Sequence, residues 1–203
     1  MLDRGMENGK GKGYNETMTT PKPNEKKITQ VAGHILSRAG GSLNIMKLIK
    51  LMYFAEREAI IRWGTPITFD RFYSLPNGPV LSRTLDMING ENAESERAYW
   101  DDFISPRATH NVGIKKTPET GSLSDREIGL LDEIYNRHGN KDQWELREES
   151  HHLPEWRDPQ GSALAITIDD ILSSTGKPKE EIEEIKMELD VYAKAEEILG
   201  ATI

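Results

Sequence analysis

Residues 47–88, KLIKLMYFAEREAIIRWGTPITFDRFYSLPNGPVLSRTLDMI, decide the fold. Between Leu43 and Arg62, apolar residues recur at Ile45, Leu48, Ile49, Met52, Ala55 and Ala59, and a second stripe runs through Leu51, Phe54 and Ile61. Only a narrow polar edge of Lys47, Lys50, Arg57 and Glu58 remains, which is the pattern of a central helix buried on most sides. Gly64 ends that helix. Pro66-Ile67-Thr68-Phe69 and Phe72-Tyr73-Ser74-Leu75 then read as a short hairpin across Asp70-Arg71, with its aromatics toward the helix. In Pro76-Asn77-Gly78-Pro79 the prolines fix φ and Gly78 can take conformations closed to other residues. Pro79 suits the first turn of a helix from Val80 to Asn89. That helix would bury Leu81, Leu85 and Ile88 and stop at Asn89-Gly90.

Outward from this segment, Ile28, Val31, Ala32, Ile35, Leu36 and Ala39 keep helical spacing up to Gly40-Gly41, and Ser42 is placed to cap the central helix. Residues 1–27 are rich in Gly, Asn, Lys, Thr and Pro, so a disordered tail is expected, with the fold spanning 28–199. Met1, Met6 and Met18 each stand as a translation start, and a start at Met18 would remove most of that tail. Between Glu91 and Gly121 the pattern is irregular, with an aromatic pair at Tyr99-Trp100 and strands expected around Phe103-Ile104 and Asn111 to Ile114. Ser124-Asp125-Arg126-Glu127 is a capping box opening a helix with Ile128, Leu131, Ile134 and Tyr135 as its buried stripe, closed by Gly139. Further helices are expected from Lys141 to His152, stopped by Pro154, and from Thr167 to Ser174. The last, Lys179 to Leu199, has an acidic outer face of Glu180, Glu181, Glu183, Glu184 and Glu188. Trp144 and Trp156 read as core residues, with Trp156 also fit to be an interface anchor.

Composition narrows the class. The 203 residues are 36% apolar, enough for one well-buried core. There are no cysteines, so disulfides and thiolate metal sites are excluded, as suits a reducing cytoplasm. No run is long enough to span a membrane, and no signal-peptide pattern opens the chain. A net charge of −8 opposes nucleic acid and favours a basic protein partner.

No arrangement in the sequence carries chemistry. His138, His151 and His152 lack an HExxH arrangement, and adjacent helical histidines point about 100° apart. Ser150 beside His151 has no glycine-flanked elbow to present it. Asp101-Asp102 and Asp169-Asp170 are carboxylate pairs, the second explained by the first turn of a helix. The tail glycines follow no strand, so they form no phosphate loop. Catalytic, metal and cofactor sites are therefore all read as none.

The order of Lys47, Leu51, Tyr53, Ala55, Gly64, Pro66-Ile67-Thr68 and Gly78-Pro79-Val80 closely resembles the Panacea antitoxin domain, the SocA-like family of bacterial and phage toxin–antitoxin systems. The similarity continues more loosely through Phe103, Leu123-Ser124, Ser150-His151 and Trp156. The residues themselves point to an α+β, mainly helical domain with a small antiparallel sheet. The resemblance implies a non-enzymatic antitoxin that binds a co-encoded protein toxin, with an AAA+ protease as a further partner where relatives act as adaptors. A DNA-binding autoregulator is the alternative, which the net acidity opposes. Partner contact is expected at Arg71, Tyr73, Asn77, Gly78, Pro79 and Trp156, around a stiff turn that costs little entropy to dock.

Overall fold

The computed structural model describes residues 21–93 and 96–199. In chain order the first half holds α1 (Glu25–Arg38), β1 (Ser42–Asn44), α2 (Ile45–Trp63), β2 (Phe72–Leu75), β3 (Gly78–Leu81) and α3 (Ser82–Asn89). The second half holds α4 (Ala98–Phe103), β4 (Asn111–Gly113), α5 (Asp125–His138), α6 (Gln143–His151), β5 (Leu164–Ile166), α7 (Ile168–Ser173) and α8 (Lys179–Leu199). The class is α+β, mainly helical, with small antiparallel sheets.

α2 is the axis of the core. Leu48, Leu51, Met52, Tyr53, Ala55, Ala59 and Ile60 are fully buried on it, and α1, α5, α6, α7 and β3 pack around it. Its N-terminus is capped by Asn44, whose side-chain oxygen accepts from the amides of Met46 (2.9 Å) and Lys47 (3.4 Å). Ser42, expected to cap it, instead lies in β1 opposite Gly113 of β4. Gly64 ends the helix at φ 71°.

A helix buried this fully must satisfy the polar side chains it carries into the core, and α2 uses them to hold later segments. Glu56 accepts from the amides of Ile67 (2.6 Å) and Thr68 (2.9 Å) and from the Thr68 hydroxyl (2.5 Å). Lys50 donates to the Pro79 carbonyl at 2.6 Å. Tyr53 and Arg57 both donate to the buried Glu155 carboxylate, at 3.0 and 2.7 Å.

These anchors account for a correction to the strand pairing. Phe72–Leu75 does not pair back with Pro66–Phe69; it pairs forward with Gly78–Leu81, placing Pro76-Asn77 at the hairpin tip, and on its other edge with Leu164–Ile166. Pro66 has no amide for a ladder, Glu56 takes the amides of Ile67 and Thr68, and Phe69 turns the backbone to φ 56°. Pro79 and Val80 accordingly lie in β3 and not in α3, which begins at Ser82. As an edge strand in the order β3-β2-β5, β3 tolerates a proline.

Nothing on Leu81, the residue before α3, can cap the helix. Asp70 does so from outside, accepting from the amides of Arg83 and Thr84 (both 2.8 Å) and from the Thr84 hydroxyl (2.7 Å). At the N-terminus, α1 begins at Glu25, capped by Asn24, so the last residues assigned to the tail form its first turn. The rest of that expected tail, 1–20, lies outside the described residues. Tyr99 and Trp100, read as an irregular stretch, lie in α4, and Ile104 makes only an isolated bridge to Ile114. The capping box of Ser124 and Glu127 opens α5 as expected.

Candidate functional site

The β2–β3 hairpin is held from both sides. Beneath it, Lys50 bonds Pro79; beside it, Arg147 Nε reaches the Asn77 side-chain oxygen (3.1 Å), and Trp156 Nε1 reaches the Leu75 carbonyl (3.2 Å). The indole of Trp156 stacks on His151 with centroids 4.1 Å apart. Gly78 begins β3 at φ +90°, with no room above it: a Cβ there would overlap Ser150 Oγ and come within 2.8 Å of Lys50 Nζ. Both the backbone angle and the close approach call for glycine.

Two clefts flank this hairpin. The first, about 600 Å³, has a floor of Ile45, Met46, Ile49, Leu75, Val80 and Leu85, with Lys50 reaching it from below. Asn44, Asn77, Asn89, Arg107, His110, Gln143 and Trp144 stand around it. The second, about 650 Å³, lies between the sheet and the chain around Pro21-Lys22-Pro23, with Arg71, Tyr73, Phe69 and Ile166 in its wall.

The six expected contact residues therefore do not form one patch. Asn77 is exposed in the first cleft, while Arg71, exposed, and Tyr73, half-buried, belong to the second. Gly78 and Pro79 are buried, and half-buried Trp156 braces the hairpin. Trp144, read as core, is 59% exposed at the rim of the first cleft. Lys50, read as a polar edge, is 1% exposed.

A comparison with protein families adds the decisive observation: the family described as antitoxin SocA-like, Panacea domain, matches residues 48–157. The chain belongs to that family. A search of curated proteins returned no match, and a search of solved structures returned none. The Panacea match runs from α2 to the turn that carries Glu155 and Trp156, and so includes both strands of the hairpin and all its braces. β5, α7 and α8 lie beyond it.

Within this Panacea domain most groups with reactive potential are tied into the fold, while His151 Nε2 is buried without a hydrogen-bond partner among the described residues. Ser150 is fully buried and donates to the Arg147 carbonyl at 2.8 Å. Burial, helped by the charge of Arg147, lowers Lys50 to about 7. The same desolvation, with Arg147 and Lys50 as cationic neighbours, lowers His151. Glu56 is pushed up to about 7 by burial, against the opposing effect of its three hydrogen bonds. The histidines serve separate neighbours: His138 lies 3.3 Å from Glu149 and stacks near Phe54, whereas His151 faces Trp156 and exposed His152 bonds its own helix.

Sequence reasoning missed Arg107, His110 and Trp144 as cleft residues. Only Trp144 left a usable trace: it follows the Asp142 N-cap by two residues, in a first turn that otherwise reads as solvent-facing. Arg107 and His110 come from a loop with no periodicity to place them.

Proposed function

We propose that this protein is the antitoxin of a bacterial or prophage toxin–antitoxin pair and acts in the cytoplasm by binding a co-encoded protein toxin directly, without turnover chemistry of its own. The observation that carries this reading is the family match across the whole braced hairpin. Support also comes from the exposed Trp144 beside an open cleft, since exposed aromatics next to concave apolar surface are favoured anchors for a protein partner. The bonds that tie Ser150 and Lys50 to backbone carbonyls favour a structural role for both over a nucleophilic one. A net charge of −8 weighs against the alternative of a DNA-binding autoregulator.

Co-expression with the product of the neighbouring gene tests the reading. Growth should be restored, and the two proteins should co-purify as a complex that survives gel filtration. Rescue accompanied by loss of the toxin, and abolished in a strain lacking its AAA+ proteases, would assign an adaptor role. Rescue with neither a complex nor toxin loss would overturn binding as the mechanism.

A further inference from the structure

The polar side chains around the first cleft share a feature that neither their composition nor their spacing announces. Three of them are asparagines, and each has its side-chain oxygen already engaged inside the protein: Asn44 by the amides of Met46 and Lys47, Asn77 by Arg147 Nε, and Asn89 by Arg107 (2.6 Å). All of these partners are obligate donors, so each amide orientation is dictated by chemistry, and each of these cleft-lining asparagines keeps an NH₂ with no hydrogen-bond partner among the described residues. Arg107 adds a guanidinium with no carboxylate within ion-pair distance among the described residues. Lys50 also lines the cleft, but its buried Nζ is already spent on the Pro79 carbonyl beneath the hairpin. Among the described residues no aspartate or glutamate lines the cleft, although the chain carries 34 of them against 26 Lys and Arg.

Apart from Gln143 and His110, which can donate or accept, the rim offers donors around an aliphatic floor, and such a rim selects its ligand by what would be left unpaired. A basic or amide-donor segment would bury these N–H groups against its own donors, whereas a carboxylate satisfies them with charge-assisted bonds. The aliphatic floor asks in addition for an apolar side chain beside that carboxylate. Nucleic acid fits less well: its phosphates would extend past the cleft over a protein of net charge −8, and Trp144 at the rim is the one aromatic ring among the described lining residues on which a base could stack, besides His110.

We propose that this cleft is the docking site for an acidic segment of the protein partner, one that lays an aliphatic side chain on the Ile45, Ile49 and Leu85 floor and sets its carboxylates against the Asn44, Asn77, Asn89 and Arg107 rim. The proposal rests on the antitoxin reading only in that the partner is a protein. It reverses locally the basic partner that the overall charge suggests, and it leaves the acidic face of α8 as a separate surface.

Asparagine-to-aspartate substitutions test it with little disturbance of the fold. In Asn44→Asp, Asn77→Asp and Asn89→Asp the engaged oxygen and all its internal bonds are kept, and only the unspent NH₂ becomes an oxygen, with the charge shared over the carboxylate. Thermal melts should therefore stay close to wild type. Two binding assays on the full chain follow. In the first, a short peptide alternating leucine with glutamate is titrated while tryptophan fluorescence is read, with Trp144→Phe as the control that assigns the signal. It should bind at least about ten-fold tighter than the same peptide with glutamine, and the Asn77→Asp, Asn89→Asp double variant should erase that preference. Equal affinity for the two peptides, or no saturation up to about 1 mM, would overturn the proposal. Tighter binding of a single-stranded oligonucleotide in the same cleft would overturn it in favour of nucleic acid. In the second assay, the co-encoded protein replaces the peptide. Wild-type binding that the aspartate variants leave intact would refute the docking site while sparing the antitoxin reading. No wild-type binding, with the peptide preference present, would refute the antitoxin reading and spare the site.

Discussion

Gly78→Ala combines two penalties that can be separated. The first is conformational: a non-glycine residue at φ +90° costs roughly 1–3 kcal/mol. The second is steric, since the new methyl would land on Ser150 Oγ, within 2.8 Å of Lys50 Nζ and 3.2 Å of His151 Cδ2. Neither Ser150 nor Lys50 can swing aside freely, because each is fully or nearly fully buried and bonded to a carbonyl. Overpacking of this kind costs a further ~1–3 kcal/mol, for a total of about 2–6 kcal/mol. Ser150→Gly removes the hydroxyl that the methyl meets first and leaves the backbone angle untouched. A double-mutant cycle by urea denaturation should then return a coupling of about 1–3 kcal/mol, with the double variant more stable than the sum of the singles allows. A coupling below about 0.5 kcal/mol would refute the close approach of the hairpin to α6. A single-variant cost below about 1 kcal/mol would refute the left-handed angle as well.

Asp70→Ala should remove the cap of α3 and leave the amides of Arg83 and Thr84 without their acceptor; a loss of about 3–5 kcal/mol is expected in chemical denaturation. A loss under 1 kcal/mol, about that of one ordinary hydrogen bond, would show that α3 is capped by other means. The buried Glu56 carries a pH signature: its folded value of about 7 lies above the ordinary 4.5, so the folded state holds the proton more tightly. Its contribution is complete below pH 4.5 and is lost as pH rises to about 7, so stability of Glu56→Gln should fall less steeply than wild type over that window. Parallel pH profiles of the two proteins would contradict this. Lys50 is depressed to about 7 from 10.5, so its contribution is complete above 10.5 and is lost as pH falls to about 7; Lys50→Met should flatten that alkaline limb in the same melts, and an unchanged limb would contradict the buried amine. Trp144→Ala should change stability by no more than ~0.5 kcal/mol while weakening the co-encoded partner at least about ten-fold. A stability loss typical of a core tryptophan, roughly 3–5 kcal/mol, would return Trp144 to the core.

Most of the longer helices were legible because their signals are local, whereas the six-residue α4 was not. The stripe of α2, the stop at Gly64, the Ser124–Glu127 box and the bounds of α8 all follow from residues within a turn or two of one another. The hairpin was not legible for the opposite reason. Pro66 to Phe69 alternates like a strand, and only the Glu56 carboxylate, held against it by the helix, shows that its amides are already engaged. β5 has three residues, too few for a period, and it pairs with a strand some ninety positions earlier. Lys50 looked like a polar edge because periodicity reports which face a residue occupies and not whether a carbonyl waits there. Besides Trp144, the external cap of α3 left a trace, since a helix preceded by leucine and lacking a capping side chain of its own must find acceptors elsewhere.

The two levels meet in the asparagines of the first cleft. An exposed asparagine normally turns freely, and holding it still on binding costs rotamer entropy, while its amide can offer either an oxygen or an NH₂ to whatever arrives. Here Asn44 is held because it caps α2, Asn77 because Arg147 braces the hairpin tip, and Asn89 because Arg107 crosses to the end of α3. The bonds that close the fold therefore also set which end of each amide is left to bond. Much of the ordering that a partner would otherwise impose is already complete, and the choice between donor and acceptor has been made before any encounter. Selectivity for an acceptor-rich segment then follows from folding itself, and it depends on residues such as Arg147 that stand behind the cleft and do not line it.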